Sequence, residues 1–308
     1  MVNEIRNIAI IGGGLMGAGI AQVFAGYGYK VTVFEPVDGA RRSLRDRVSE
    51  NLRMLGEDSS VASDIVVTED FAKAVSIADY VTEAVPEKLE LKRVVFADLE
   101  KLAPVDAILA SNTSVIPISR ITKGLSSAHR MVGTHWWNPP YLLPLVEVVQ
   151  AEKTDDQTLA RTMALLKSVG KEPAHVRKDV PGFVANRLQH ALWREAIAMV
   201  AEGICDPATL DSCVKNSFGL RLPVLGPLEN ADLVGLDLTL DIHKTMIPEL
   251  DRSAGPSPYL EEQVKAGHLG FKTGQGFRDW SSEEQQILRL QLAQHLLRAK
   301  QERDNTRP

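Results

Sequence analysis

The sequence predicts an α/β protein in which a mostly parallel, doubly wound sheet is followed by an all-helical C-terminal domain. Two observations carry this prediction. Short apolar runs typical of strands alternate with helical patterns up to about residue 178. From the segment DVPGF onward only helical patterns follow, and 308 residues are enough for two domains. We therefore expect a first domain over residues 1–178 and a second domain over residues 179–308.

Residues 8–35 contain an apolar strand, a glycine-rich turn, an amphipathic helix and a second strand that ends in an acid. Gly12 would close the turn, Gly14 would let the backbone approach a pyrophosphate, and Gly17 would let the helix pack against the strand. The helix N-terminus would then attract the phosphates. This order of elements is typical of a Rossmann-type dinucleotide site, so a redox enzyme is the leading hypothesis.

Glu35 ends the second strand, 18 residues after Gly17. A carboxylate there can accept hydrogen bonds from both ribose hydroxyls and repel a 2′-phosphate, which favours NAD over NADP as the cofactor. Arg41 and Arg42 follow closely and could in principle hold a 2′-phosphate. Two arginines on a solvated helix are, however, more often plain surface residues.

The remaining elements follow in order along the chain. A helical stretch spans about residues 37–55, and the helical patterns LELKRVVFADLEKL and DQTLARTMALLKSVG lie between later strands. The strand-like runs are DIVVT, ADYVTEAV, DAILASN, RMVGTHW, PLVEVVQ and PAHVRK. In the second domain helices are predicted over residues 183–203, over 206–218 with Asp206 and Pro207 as N-cap and first-turn residues, and at the C-terminus.

Composition argues against several classes of partner and location. A net charge of −5 without a long basic run argues against nucleic acid as the main partner. We see no signal peptide and no apolar stretch long enough to span a membrane, so we expect a cytoplasmic protein.

Cys205 and Cys213 lie eight residues apart in a region that we interpret as helical. They would be about 12 Å apart on one helix, too far for a disulfide. No bound metal is expected.

The stretch GTHWWNPPYLLPLVEVV offers a base and an acid that could orient it. A nicotinamide enzyme that oxidises an alcohol needs a base for the hydroxyl proton. His135 ends one predicted strand and Glu147 lies in the next, after a turn fixed by Pro139 and Pro140. A hairpin-like return of that length can bring the carboxylate against the imidazole. Taken alone, His135 is more typical of a structural histidine, since any histidine at the end of a strand could hydrogen-bond to neighbouring backbone.

Seven ordered motifs resemble the 3-hydroxyacyl-CoA dehydrogenase family over nearly the whole chain: GGGLMG, EAVPEKLELK, ASNTS, HWWNPP, LVEVV, DVPGFVANR and KTGQGF. The resemblance implies that His135 is the general base and that Glu147 orients it. It also implies that Ser114 hydrogen-bonds both the substrate oxygen and the nicotinamide region, with Asn186 as its partner at the substrate.

The same resemblance implies that Asn138 contacts the nicotinamide ribose side and that Glu87 and Lys92 line the cofactor groove. It further implies that the helical domain forms a homodimer. Each site residue also has a simpler interpretation. Ser114 could cap the helix after Ile116, Asn186 could be a helix-surface amide, and Glu87 with Lys92 could be a solvated charge pair.

Departures from the acyl-CoA enzymes concern the substrate. The helical hairpin after the second strand looks shortened, with about 30 residues between Glu35 and DIVVT, and NPPYLLPLVEVV resembles the branch that oxidises free hydroxy acids such as gulonate, carnitine and a pyridine-carboxylate. In that branch a basic residue stands where this chain has Arg221, and a guanidinium can hold a carboxylate through two hydrogen bonds. Against this, GFKTGQGF resembles the acyl-CoA branch, and Arg221 could be a surface salt-bridge partner.

The sequence thus predicts NAD-dependent oxidation of the secondary alcohol of a 3-hydroxy acid, or of its CoA thioester, to the 3-keto product, with a free carboxylate favoured. The first alternative is a short-chain L-3-hydroxyacyl-CoA dehydrogenase of fatty-acid breakdown. The lysine-dependent β-hydroxyacid dehydrogenases are a weaker one, because the matching positions hold His135 and Glu147. A non-enzymatic NAD(H)-binding structural protein is the alternative of another class, since one relative in the family is a lens crystallin.

Overall fold

One eight-stranded sheet organises the first part of the computed structural model, which describes residues 4–306. The strands are β1 Asn7–Ile11, β2 Lys30–Phe34, β3 Val66–Thr68, β4 Tyr80–Glu83, β5 Ile108–Ser111, β6 Met131–Trp136, β7 Leu145–Val149 and β8 Glu172–Val176. Their order in the sheet is β3-β2-β1-β4-β5-β6-β7-β8. Strands β1 and β4 to β7 are almost wholly buried, as expected of strands covered on both faces, whereas β3 and β8 form the two edges and are partly exposed.

All neighbouring strands pair in parallel except β6 and β7, which are antiparallel. The register of that antiparallel pair places His135 directly opposite Glu147. Side chains of directly opposed residues lie on the same face and within reach of each other. The hairpin predicted from the sequence therefore forms, with its connection entered through the cis peptide bond between Asn138 and Pro139.

Helices connect the strands and cover both faces of the sheet. One face packs on α1, α2 and α7, and the other packs on α4, α5 and α6. The apolar stripe of α2 shows the helical spacing, because its buried residues are Leu44, Val48 and Leu52. The helices of this part are α1 Leu15–Gly26, α2 Asp38–Leu55, α3 Val61–Asp64, α4 Phe71–Val75, α5 Leu89–Leu102, α6 Ile118–Ile121 and α7 Asp156–Ser168.

From residue 185 the regular elements of the described chain are helices, apart from isolated β-bridges near Gln275. The bounds are α8 Ala185–Ala201, α9 Pro207–Lys215, α10 Pro227–Val234, α11 Leu236–Met246, α12 Pro258–Lys265 and α13 Ser282–Thr306, with short 3-10 turns at Phe218–Leu220 and Ile247–Glu249. Asp206 caps α9 by accepting from the Thr209 amide. The predicted doubly wound sheet and the helical C-terminal region are both confirmed. Among residues 4–306, no helix combines the length and the apolar character that a membrane crossing needs.

The chain forms two compact units. One comprises the described residues up to Asn186 together with those from Gln294 onward, and the other comprises Arg187–Ala293. The domain boundary at residue 178 stays a prediction. Cys205 precedes the Asp206 cap of α9 and Cys213 lies within that helix, so the two cysteines do not share one helix. Both thiols are nevertheless free.

The glycine turn after β1 has little room for side chains. Gly12 has a φ of +104°, and a Cβ there would lie 2.8 Å from the Ala84 carbonyl oxygen. A Cβ on Gly17 would overlap the Gly12 carbonyl oxygen, so α1 can lie against the turn only with glycine at this position. A Cβ on Gly14 would meet no atom within 4 Å, so open space lies above the start of α1.

Candidate active site

The candidate functional side chains gather at the carboxyl ends of the parallel strands, where ligands bind in open α/β sheets. The glycine turn follows β1, Glu35 follows β2, Glu83 ends β4, and Ser114 follows β5. His135 lies near the end of β6, next to the same edge. Strand order alone therefore brings together side chains that are up to about 120 residues apart in sequence.

His135 and Glu147 form a buried pair. The Nδ1 atom of His135 lies 2.8 Å from Oε2 of Glu147, and the two residues are 6% and 1% exposed. The rings of Trp137 and Phe183 pack against the imidazole, with centroid distances of 5.2 and 5.8 Å. A carboxylate at Nδ1 selects the tautomer that carries its proton there, which leaves the lone pair on Nε2.

The second oxygen of Glu147 binds the start of α8. Its Oε1 accepts hydrogen bonds from the amides of Val184 and Ala185, at 2.9 and 3.0 Å. Burial alone would raise the pKa of this carboxyl, but the hydrogen bond from His135 and those from the two amides outweigh it and lower the pKa. Glu147 is therefore ionised at neutral pH, as an acid that stabilises an imidazolium must be.

Asn186 follows these two amides and reaches the loop after β5. Its Nδ2 donates to the Ser114 carbonyl oxygen at 3.0 Å. Asn186 is thus engaged with Ser114 rather than being a free surface amide. Within residues 4–306 the hydroxyl of Ser114 has no hydrogen-bond partner, and the cap of α6 is Pro117 rather than Ser114. One glutamate therefore orients His135 and also fixes the turn that brings Asn186 to Ser114.

Glu87 holds the loop that carries Ser114. Its Oε1 accepts from the hydroxyl of Thr113 and from the amides of Ser114 and Val115, at 2.9 and 3.0 Å for the amides. Burial alone would raise the pKa of Glu87, but the bond from Thr113, the nearby Lys92 ammonium and the two amides lower it. Lys92 is fully buried. Glu87 and Lys92 are therefore not the solvated charge pair of the simpler interpretation.

Glu35 lies against the glycine turn with both carboxylate oxygens engaged, accepting from the amides of Gly13 at 2.8 Å and Val37 at 2.9 Å. Arg41 donates to the Glu35 carbonyl and pairs with Asp38 and Glu69. The guanidinium of Arg41 is therefore already bound by groups of the protein, whereas Arg42 is largely exposed and pairs with Asp38.

Two predicted site residues take part in none of the contacts described above. Asn138 is exposed, at the cis peptide bond that begins the β6–β7 connection. Arg221 is exposed and follows the short turn Phe218–Leu220. Its side chain makes no ion pair with any residue between 4 and 306, so the salt-bridge interpretation is not observed.

Several site residues were missed by sequence reasoning. Asn112 accepts from the Trp136 amide at 2.9 Å and so ties the end of β5 to β6. Arg47 donates to the Gly13 carbonyl oxygen at 2.7 Å. Phe183, at a φ of +51°, turns the chain into α8 beside His135. Glu83 is buried at the end of β4. An acid closing an apolar strand run, in YVTEAV, is the signal that could have identified it.

Comparison with known proteins matches both parts of the chain. Residues 7–180 match the domain described as 3-hydroxyacyl-CoA dehydrogenase, NAD binding domain, and residues 182–280 match the C-terminal domain of the same enzymes. The chain belongs to the 3-hydroxyacyl-CoA dehydrogenase family. The NAD-binding domain of that family fits the turn described above, with open space at Gly14 and an acid at Glu35.

Relatives of this dehydrogenase family member differ in their substrates. The chain is 37% identical to 5-formyl-3-hydroxy-2-methylpyridine 4-carboxylate 5-dehydrogenase of Mesorhizobium japonicum, over 95% of this chain and 96% of that one. It is 36% identical to a probable 3-hydroxybutyryl-CoA dehydrogenase of Bacillus subtilis, over 91% and 99% of the two chains. A crystal structure of the pyridine-carboxylic acid dehydrogenase, described as an NAD+-dependent dismutase, superposes with a TM-score of 0.90 at 36% identity, over 98% and 99% of the chains.

Proposed function

We propose that this NAD-dependent dehydrogenase oxidises the secondary alcohol of a 3-hydroxy acid, with a free carboxylate favoured over a CoA thioester, to the 3-keto product. The observation that carries the proposal is the 2.8 Å contact between His135 and Glu147 on directly opposed positions of β6 and β7. This contact prepares Nε2 of His135 to take the hydroxyl proton. Bound NAD would supply the acceptor for the hydride that leaves the same carbon.

The other residues act on charge and orientation. Glu147 stabilises the imidazolium once His135 has taken the proton. The Ser114 hydroxyl and the Asn186 side-chain amide hold the substrate oxygen as it becomes a carbonyl. The hydrogen bond from Asn186 to the Ser114 carbonyl oxygen, which keeps the two residues together, supports this assignment. Gly12, Gly14, Gly17 and the start of α1 would hold the pyrophosphate. Glu35 would accept from the ribose hydroxyls, Asn138 would contact the nicotinamide ribose side, and Glu87 would line the cofactor groove. Lys92 was expected to line the groove as well, but its side chain is fully buried behind Glu87, so we assign it no contact with the cofactor.

Arg221 supports the choice of a free acid. Its guanidinium is exposed and makes no ion pair within the described chain, so it is available to form two hydrogen bonds to a carboxylate. A thioester carbonyl could not match this contact. The pyridine-carboxylate enzyme among the relatives acts on a substrate with a free carboxylate, whereas the Bacillus relative is a probable CoA-thioester enzyme.

A panel of 3-hydroxy acids and matching 3-hydroxyacyl-CoA thioesters tests the proposal, with NADH formation followed by absorbance. We expect turnover on at least one free acid, at a higher kcat/KM than on its thioester. Turnover confined to thioesters would instead favour the alternative, a short-chain L-3-hydroxyacyl-CoA dehydrogenase. NADH binding without turnover on any compound would favour a structural NAD(H)-binding protein.

We expect NAD to bind much more tightly than NADP, because Glu35 would face the 2′-phosphate and Arg41 is held by protein groups. Titration of both cofactors by tryptophan quenching measures this preference. Glu35→Ala should reduce it by about tenfold or more, whereas Arg42→Ala, at an exposed position, should leave it unchanged. Equal affinities of the wild-type protein for the two cofactors would mean that Glu35 does not face the ribose.

We further infer that two copies of the chain associate through the helical unit. No described residue of helices α8 to α12 is buried. Their large apolar side chains are instead exposed, among them Leu228 at 79%, Leu233 at 71% and Leu236 at 64%. So many exposed large apolar side chains on one set of helices are typical of an interface. Their covering by a second copy would give these helices the core that they lack.

Sedimentation should give a mass twice the 33.8 kDa of the chain. Leu228→Glu combined with Leu240→Glu, at a leucine of α11 that is 57% exposed, should shift the protein to monomers, since charges would have to be buried on association. The control, Ile77→Glu with Val105→Glu, changes exposed apolar residues of the other unit and should remain dimeric. A monomeric wild type would overturn the inference.

A further inference from the structure

Glu83 and Lys92 form an ion pair with no exposed side-chain surface. The ammonium of Lys92 donates to Oε1 of Glu83 at 2.7 Å. The carboxylate also accepts from the hydroxyl of Ser111 at 2.6 Å and from the Val85 amide at 2.8 Å. Glu83 is therefore satisfied at both oxygens, at the strand end that faces the cofactor groove.

The pair continues to the loop that carries Ser114. Lys92 Nζ lies 3.3 Å from Oε2 of Glu87, and Oε1 of Glu87 accepts from the amides of Ser114 and Val115. An unbroken chain of charge-assisted contacts thus runs from Glu83 to the Ser114 backbone.

A buried ion pair is a poor way to stabilise a fold. Apolar residues of similar volume usually stabilise as well or better, whereas removal of one charge alone is costly. The charges of Glu83 and Lys92 instead fix the orientation of the side chains that they contact. Lys92 holds the Glu87 carboxylate at the place where it clamps the loop, and Glu83 fixes Lys92 from the other side.

We propose that Glu83 is a positioning residue for the dehydrogenase reaction, acting through Lys92 and Glu87 to hold Ser114 where it meets the reacting oxygen. The proposal rests on the proposed function, because Ser114 is assigned to the substrate oxygen there. Glu83 itself contacts neither substrate nor cofactor in this scheme.

The contacts from Glu83 through Lys92 and Glu87 to Ser114 are called the relay below. Three variants test it: Glu83→Gln, Lys92→Met and the double variant. Each single change should lower kcat by about tenfold or more, since small misplacements of a transition-state donor cost at least that much. The double variant should not be slower than Lys92→Met, because residues that act as one unit have non-additive effects. Lys101→Met, on the exposed side of the same helix, is the control and should leave kcat unchanged.

Thermal stability separates positioning from a structural role. Lys92→Met leaves the Glu83 carboxylate buried without its cation, so its Tm should fall, and the double variant should recover much of that loss. The relay predicts that kcat does not recover with Tm. Recovery of kcat in parallel with Tm would overturn the proposal, because the defect would then follow from stability alone.

Hydrogen exchange gives a readout that does not depend on turnover. The Ser114 and Val115 amides should exchange at least about tenfold faster in Glu83→Gln and in Lys92→Met, but not in Lys101→Met. Unchanged protection in the first two variants would contradict the relay even if the wild type is an active dehydrogenase. Loss of protection in a protein without turnover would instead uphold the relay and reject the proposed function.

Discussion

His135→Gln is expected to lower kcat by at least about 100-fold while NADH affinity stays within about twofold of the wild type. Glutamine cannot take the hydroxyl proton, and loss of a general base costs about 10²–10⁴ in rate. Glu147→Gln should act in the same direction, because it removes the charge that stabilises the imidazolium at 2.8 Å. The double variant should lose less than the product of the two single effects, since the pair works as a unit.

The matched control for this series is His175→Gln. His175 is an exposed histidine of the same sheet, on β8, and its Nε2 contacts Gln150. We expect this variant to keep its activity. Near-normal turnover by His135→Gln, measured with saturating NAD, would remove His135 from the mechanism.

Arg221→Met should lower kcat/KM for a free 3-hydroxy acid by about 30-fold or more, which corresponds to roughly 2 kcal/mol of lost charge-assisted hydrogen bonding. Methionine keeps the length and apolar character of the side chain but removes the guanidinium. NADH affinity should hardly change, because Arg221 is assigned to the substrate carboxylate and not to the dinucleotide.

Wild type and Arg221→Met are compared on a free acid and on its CoA thioester. Arg252→Met, at an exposed arginine of the same helical unit, controls for the loss of one positive charge. Arg221→Met should lose kcat/KM on the free acid but not on the thioester. A wild type that prefers the thioester, with both activities unchanged by Arg221→Met, would reject the carboxylate role.

The His135–Glu147 contact was predictable because it depends on local rules. Two strand-like runs are joined by a connection with two prolines, and alternation within each strand fixes which residues share a face. The register of β6 and β7 bears this out at the level of residue pairs. The glycine turn was predictable for a similar reason, because its steric demands involve neighbours in sequence.

The surroundings of that contact depend on packing between distant segments. Glu147 binds the amides of Val184 and Ala185 only because Phe183 takes a left-handed conformation, which no local pattern indicated. The partners of Glu83 are Lys92 on a helix and Ser111 on a neighbouring strand, 28 residues away. Spacing in the sequence could identify an acid at the end of a strand, but not the cation that it holds.

Deuterium transfer tests the central claim most directly. The substrate is a 3-hydroxy acid with deuterium on the carbinol carbon, and the reduced cofactor is analysed by mass spectrometry after turnover with the wild-type protein and NAD. Hydride transfer from that carbon predicts one deuterium in each molecule of reduced cofactor and an equal amount of 3-keto acid. Reduced cofactor without deuterium, or none formed from any hydroxy acid or thioester, would contradict dehydrogenation at this carbon.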